Sequence, residues 1–519
     1  MRLAIFVVVA LATAQSSRGQ GYVCAEGGGC ASCGYWSERV FGWMAEKGKF
    51  GDVVVLGIGG ADVSLERVFL EQGVASASSL AVNKSNADSA ATYDAITSAE
   101  IVWIRGGDQY EYVSAWNGTL AEEAIREVYD RGGVVGGSSA GLAVLSDVIY
   151  DAGTGAATGR NLLRDAKSPY IHFTDDFLNL AQNTLLDSHF TERGRLGRLP
   201  VLLATQFEQE GRDLVGIGVD YRTALCVYPD MTAEVRGEGA VTLLHRTERT
   251  AQILEPQSPP VITHLEYHQL IDGYWFDFTA REVFARPDHA TLHPPQSELP
   301  QFPEGTLSGD SWTDSKRGIL TVSDGGDPGA LYYGSLQIED GTNEFARTVI
   351  QTKVWNSFEY DENRVGGLQL ALAREPHLLG LYLDGGVRVE THPPARLVVG
   401  EATRPESATV VLDAQGATSS ASSLFIVDPQ SVGPRQSVAI ESATLHLIRE
   451  GWEYDARVRR VYSPLGSADL NADCAIDLSD LGVMLVAFGV GAEGDVDGDA
   501  DTDLSDLGAL LAAFDQRCL

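Results

Sequence analysis

Gly133-Val134-Val135-Gly136-Gly137-Ser138-Ser139-Ala140-Gly141-Leu142-Ala143-Val144-Leu145 is the stretch on which the first half of this chain turns. Residues 133–135 form a short β-branched run that predicts a strand. Gly137-Ser138-Ser139-Ala140-Gly141 follows, a G-x-S-x-G pattern, and an apolar helical segment comes next. A serine at a sharp strand-to-helix turn is lifted clear of the sheet, and small flanking residues avoid a clash there. The new helix offers free N–H groups and the positive end of its dipole to a developing oxyanion. Ala140 is the expected first oxyanion donor. Gly107, in Arg105-Gly106-Gly107-Asp108-Gln109 after a neighbouring strand, is the expected second.

Upstream, apolar runs alternate with helical spacing. Residues 52–56, 79–82 and 101–104 predict strands, and residues 64–72, 85–98 and 119–130 predict helices. Thr119 with Glu122 has capping-box spacing. Strand and helix in alternation predict an α/β fold, a parallel sheet with helices on both faces. Its chemistry lies beyond the C-terminal strand ends. Gly57-Ile58-Gly59-Gly60-Ala61-Asp62 lacks the third glycine of a dinucleotide fingerprint and reads as a tight turn.

The 519 residues are 44% apolar and 21% charged, with 72 acidic against 38 basic side chains and a net charge of −34. That composition is globular. The acidity argues against phosphate-mediated nucleic-acid binding and against anionic membrane surfaces. The apolar run at residues 1–14 is too short to span a bilayer. With Arg2 at its start, Leu3–Ala10 as its apolar centre and Ala12-Thr13-Ala14 at its end, it reads as a secretory leader, residues 1–20. The expected location is therefore secreted or cell-surface, extracellular or periplasmic. In that compartment Cys24, Cys30, Cys33, Cys226, Cys474 and Cys518 become disulfide candidates. Cys474 and Cys518 share one short tail module and are the preferred pair.

A serine hydroxyl needs a base. His189 stands in Asp187-Ser188-His189-Phe190-Thr191-Glu192-Arg193-Gly194-Arg195-Leu196-Gly197-Arg198. The three arginines form either a clamp for carboxylates or a solvated basic helix start beside a structural histidine. Together with Gly106-Gly107-Asp108-Gln109, Gly137–Gly141 and Gly216-Ile217-Gly218-Val219-Asp220, this segment resembles cyanophycinase over roughly residues 50–245. Cyanophycinases are grouped with aspartyl dipeptidase among the serine peptidases, on a sheet similar to that of class I glutamine amidotransferases. The resemblance implies Ser139 as nucleophile, His189 as general base, and Gln109, Asp187, Arg193, Arg195 and Arg198 lining the substrate site. It implies a polypeptide substrate rich in Asp and Arg, cleaved to β-Asp-Arg without a catalytic cofactor. A homodimer is a further expectation.

The chain departs from the family pattern twice. Ser188 stands for a glutamine, and Tyr221 stands where a glutamate completes the triad. Asp220 is the expected substitute acid, with Asp147 and Asp151 as alternatives. A catalytically weak or inactive binding module of the same fold, and a peptidase for other β-aspartyl or Asp-X peptides, are the alternative readings.

The catalytic α/β domain is assigned to residues 21–285, and a Pro-rich linker at 286–305 leads to a second module at 300–462. Asn356-Ser357-Phe358, Arg364-Val365-Gly366 and Leu378–Asp384 faintly echo Asp187–Asp220, which predicts a degenerate copy of the same half-module. The alternative is an independent β-rich module with strands near 409–412, 423–427 and 443–448. In the tail, residues 467–519, Asp469, Asn471, Asp473, Asp477 and Asp480 repeat after 26 residues as Asp495, Asp497, Asp499, Asp503 and Asp506, with Asp501 between. Oxygen ligands at alternate loop positions predict two Ca²⁺ loops of EF-hand type. Each runs into an apolar helix, at 481–488 and 507–514. The pair is similar to a dockerin, which implies a cohesin-like or surface partner.

Overall fold

The structure is a computed structural model that describes residues 21–29, 31, 35–288, 290, 298–308, 310–311, 313–317, 319–323, 337–352, 378–401, 407–421, 438–499 and 501–518. The expected leader at residues 1–20, Cys30, Cys33, the 356–366 part of the expected echo and the expected strand at 423–427 lie outside them.

Five parallel strands build the first half: β1 (Tyr22–Glu26), β2 (Asp52–Gly57), β3 (Ser76–Ala81), β4 (Ile101–Ile104) and β5 (Val134–Ser138), in the order β3-β2-β4-β5-β1. Their continuous apolar runs are explained by burial on both faces. Val53, Val55, Ile101 and Trp103 pack with Val40, Phe41, Met44, Val68 and Phe69 of helices Tyr35–Lys47 and Val63–Glu71. Val54, Leu56, Val102 and Ile104 pack with Ile96, Trp116, Ile125 and Val128 of helices Ala90–Thr97, Gln109–Trp116 and Leu120–Asp130. The Thr119 capping box does not form. Glu122 turns to Arg126 at 2.9 Å and to the Gly118 N–H, while the Thr119 hydroxyl donates to Trp116 O.

β1 is an addition to the expected strands. Beyond it the sheet continues antiparallel through Thr223–Val227, Thr232–Gly237, Trp275–Asp277 and Glu282–Ala285. Cys24 faces Cys226 across this join, and both are buried thiols. Cys474 and Cys518 are disulfide-bonded.

Among the described residues a second, ten-stranded sheet crosses the division expected near residue 300. Its main path runs Thr348–Thr352, Leu379–Leu383, Thr409–Asp413, Val438–Ile448, Val261–Ile271, Ala240–His245, Val215–Val219 and Thr184–Asp187. Val261–Ile271 and Val438–Ile448 are central antiparallel neighbours. Residues from both sides of the supposed boundary, among them Leu199, Tyr267, Val410 and Leu445, share one core. Pro-rich composition marks the crossing of the chain, but the backbone hydrogen bonds and the core run across it. A smaller sheet of Gly305–Ser308, Arg388–His392, Arg396–Gly400, Glu453–Asp455 and Arg460–Tyr462 completes this β-rich region.

The tail helices are Leu478–Ala487 and Leu504–Ala512, each beginning three residues earlier than predicted. Asp477 and Asp503 cap them in reciprocal capping boxes with Asp480 and Asp506, and these caps draw the helix starts forward.

Candidate active site

The turn after β5 has the geometry that its glycines require. Ser139 adopts φ 55°, ψ −111°, a region that L side chains rarely enter. A Cβ on Gly137 would sit 2.3 Å from Gly141 O, and one on Gly141 would sit 2.1 Å from Ile104 O. The two glycines therefore let the strand, the turn and the following helix cross at contact distance. The Ser139 N–H donates to Glu26 O at 3.0 Å, which anchors the turn to β1.

The histidine arrives from the second sheet. Strand Thr184–Asp187 runs into His189, itself at φ 45°, whose N–H donates to Gly27 O at 2.8 Å. Its Nε2 lies 2.9 Å from Ser139 Oγ. Gly28, at φ 126°, lies under the imidazole: a Cβ there would come within 2.2 Å of the ring. Gly29 faces the Tyr221 ring in the same way at 2.9 Å. The Gly27-Gly28-Gly29 segment after β1 is thus a cradle for the histidine. Sequence reasoning missed it, although a glycine triplet after the apolar Tyr22–Ala25 was its visible signal.

Burial, reinforced by the charges of Arg193 and Arg195, lowers the His189 pKa to about 3. The imidazole is therefore neutral at ordinary pH and able to accept a proton, but the resulting cation is disfavoured. Among the described residues no hydrogen bond is made to its Nδ1.

Asp220, the expected third member, does not touch the imidazole. Its oxygens accept from Thr191 N–H at 3.0 Å and Ala240 N–H at 3.2 Å, so it fixes the loop that carries the histidine. Burial raises it to about 6. Asp147 accepts from Asn179 and Asn183 N–H. Asp151 instead orients a different histidine, His172, at 2.7 Å. Tyr221, where the resemblance leads one to expect an acid, lies with its ring centroid 6.4 Å from that of His189, and its N–H donates to the Glu192 carboxylate.

Arg195 and Arg198 do not line an open site. Arg195 Nη1 lies 2.8 Å from Asp187 Oδ1, Arg198 Nη2 lies 2.6 Å from the same oxygen, and Arg198 Nε lies 2.8 Å from Oδ2. All three side chains are buried. Burial alone would raise Asp187, but the two guanidiniums outweigh it and hold the carboxyl below its usual range. This ion triad is scaffolding at the base of the His189 loop. Arg193 is half-buried. Gln109 opens its helix and donates to Tyr150 O at 3.4 Å. Gly106 and Gly107 are exposed, and Gly106 lies closest to Ser139: a Cβ on it would be 3.5 Å from the serine Cβ. Ala140 begins the short helix beyond the serine.

A buried carboxylate outside the expected set completes the surroundings. Glu26, at the end of β1, accepts the Gly28 N–H at 2.8 Å and interacts with the Ser138 side chain. Burial pushes it up to about 7. It links the serine turn to the histidine cradle.

The model of peptidase family S51 matches residues 63–232. A cyanophycinase of Trichormus variabilis is 30% identical over 225 residues, covering 42% of this chain and 70% of its own length. This chain belongs to peptidase family S51. A Synechococcus elongatus cyanophycinase is 27% identical over 199 residues, 37% of this chain and 56% of that protein. A crystal structure of a peptidase from an acI-B1 Actinobacterium has a TM-score of 0.35 and 18% identity, covering 50% of this chain and 98% of its own. The S51 model begins beyond β1, so Glu26 and the glycine cradle fall outside the matched residues.

Proposed function

We propose that this S51 member is a secreted serine peptidase that hydrolyses an aspartate-backbone polymer carrying arginine, as in cyanophycin, to β-Asp-Arg units. The contact between His189 Nε2 and Ser139 Oγ at 2.9 Å, on a backbone held in a rare conformation, carries this reading. His189 takes the hydroxyl proton as Ser139 Oγ attacks the scissile carbonyl. The oxyanion lies against the N–H groups of Ala140 and Gly107. The imidazolium returns its proton to the leaving amine, and water then releases the acyl group through the same base. Gln109 and Arg193 orient substrate groups at the mouth.

A fluorophosphonate probe tests this. Labelling of Ser139 with release of β-Asp-Arg is expected, and a folded chain that neither labels nor cleaves overturns it. The absence of a carboxylate on Nδ1 among the described residues supports a second reading, a weak or inactive module that binds such polymers. Binding of cyanophycin without turnover would favour it.

For the tail we propose two Ca²⁺ sites and a docking role. The carboxylate oxygens of Asp495, Asp497 and Asp506, and of Asp499, Asp501 and Asp506, lie within 4.8 Å of one another. That donor set suits a hard cation with oxygen ligands. Asp469, Asn471, Asp473, Asp477 and Asp480 supply the corresponding oxygens of the first loop. Leu478 and Leu504 hold matching positions on the two helices, and each is 73% exposed, which suits a cohesin-like partner. Calorimetry with Ca²⁺ tests the sites: two binding events per chain are expected, and none overturns the assignment.

A further inference from the structure

The strand order of the second sheet reads alike from both ends. Thr184–Asp187 is parallel to Val215–Val219, with Thr184 opposite Val215; Thr348–Thr352 is parallel to Leu379–Leu383, with Thr348 opposite Leu379. Moving inward, Ala240–His245 and Thr409–Asp413 each add antiparallel to the previous strand, and Val261–Ile271 meets Val438–Ile448 at the centre. The correspondence extends to the other sheets. Tyr22–Glu26, Thr223–Val227, Thr232–Gly237, Trp275–Asp277 and Glu282–Ala285 lie side by side in that order. So do Gly305–Ser308, Arg388–His392, Arg396–Gly400, Glu453–Asp455 and Arg460–Tyr462, with antiparallel pairing throughout both sets.

Local geometry repeats with the same sense. At the centre, the His264 N–H donates to His446 Nδ1 at 3.1 Å, and the Ser442 N–H donates to His268 Nδ1 at 3.2 Å. Each bond is the image of the other across a two-fold between the strands. His264 and Ser442 both take a positive φ, 55° and 60°, uncommon for residues with a side chain. Gly273 at φ 85° precedes Tyr274-Trp275-Phe276-Asp277, and Gly451 at φ 82° precedes Trp452-Glu453-Tyr454-Asp455. Arg281 and Arg459 follow at φ 56° and 54°. Separate origins for the two halves would leave this set of matched irregularities without a cause.

We infer that residues 305–462 are a second copy of the half that carries His189, and that within one chain this copy fills the place on strand Val261–Ile271 that a second subunit would take. A two-fold pairing of like strands is the geometry of an isologous dimer interface. Here it is built intramolecularly, and it closes an edge that would otherwise invite another chain. The copy has lost the chemistry. Residues 27–183, which include parallel strands β2 to β5 and Ser139, correspond to the interval 309–347, far too short to hold them. In the shared register the position that His189 occupies falls just past Thr352, outside the described residues.

The copy has a different task. Asp384 follows its strand as Asp220 follows Val215–Val219. Instead of capping a histidine loop, the fully buried Asp384 takes Arg164 Nη2 at 2.8 Å and Arg160 Nε at 3.3 Å from helix Gly159–Arg164 of the catalytic half. The second copy is thus a built-in partner that braces the segment next to Ala157, whose carbonyl accepts from Arg198. This inference stands whether or not Ser139 is a nucleophile.

Light scattering and hydrogen–deuterium exchange on the full chain test it. One chain per particle is expected across a wide dilution range, and a two-chain particle overturns the inference. The amides of Val261–Ile271 and Val438–Ile448 are expected to open together; early exchange of the second strand alone would overturn it. Ala443→Asp places a charge opposite Tyr267 at the seam. It is expected to remove protection from both strands, whereas loss confined to Val438–Ile448 would mark an appended module. Should that variant fail to fold, the exchange pattern of the unaltered chain still decides.

Discussion

The Ser139 hydroxyl and the His189 imidazole meet at 2.9 Å although they belong to different sheets and are fifty residues apart in the chain. Both residues sit at positive φ, and both backbones are fastened to the segment that ends β1: Ser139 N–H to Glu26 O and His189 N–H to Gly27 O. The serine turn and the imidazole are therefore registered against one short stretch of backbone. A local shift there would misplace the hydroxyl and the imidazole together.

Replacing Ser139 tests strain and chemistry at once. Ser139→Gly removes the hydroxyl and also the Cβ that opposes φ 55°. Cleavage is expected to fall by at least about 10⁴-fold, while stability in denaturant rises by about 1 kcal/mol. An inactive variant that is also less stable would mean that the turn is not strained as described.

Tyr221→Glu restores a carboxylate at the position of the missing acid. A kcat gain of about 10-fold or more is expected, because an anion there would stabilise the imidazolium that burial, Arg193 and Arg195 disfavour. The half-buried pair Glu192 and Asp220 lies next to it and opposes ionisation, so the gain should grow as pH rises. An unchanged kcat at every pH would argue that the histidine has no need of such a partner.

Glu26→Gln keeps an acceptor for Gly28 N–H and removes a charge. Glu26 titrates near 7, so the unaltered enzyme should show a rise of kcat/KM through about pH 7 as the carboxylate ionises beside the cradle. In the variant that limb is expected to vanish, with KM little changed. Identical pH profiles would reduce Glu26 to a packing role.

Asp187→Asn leaves Arg195 and Arg198 buried around a neutral amide. Unfolding free energy is expected to drop by about 3–5 kcal/mol, as for other broken buried pairs, and activity should fall with it because the His189 loop loses its base. Chemical denaturation measures the first and turnover the second. A loss under about 1 kcal/mol would show that the triad is not a support.

Acid should destabilise the fold through its buried histidines. Burial lowers His189, His268 and His446 to about 3, below the unfolded value near 6.5. Between these limits the unfolded chain binds protons that the native chain does not, so each histidine withdraws about 1.4 kcal/mol of stability per pH unit as pH falls. Glu26 and Asp220, raised to about 7 and 6, act in the opposite sense and offset part of this. His446→Gln should reduce the slope between pH 6 and 4 by about one proton, read from denaturation midpoints across pH. An unaltered slope would place that histidine's titration elsewhere.

Much of the parallel sheet was legible because its code is local. The apolar run at residues 101–104 predicts a strand and forms one, and the G-x-S-x-G turn needs glycines that are visible in the sequence. β1 was hidden because a short strand just after a leader-like segment has no helix before it to complete an alternation. The role of Glu26 was hidden with it.

By itself, the amino-acid order determined the strand–turn–helix at Ser139, the burial of both faces of the sheet and the repeated acidic loops of the tail. Each of these is set by neighbours within a few residues, where backbone sterics and apolar spacing act directly. Only the tertiary structure decided which groups surround the imidazole, that Arg195 and Arg198 are consumed by Asp187, and that residues 305–462 continue the catalytic half's own sheet. Those outcomes depend on strands that meet across long stretches of chain and on charges whose partners burial selects, and neither is written in local spacing.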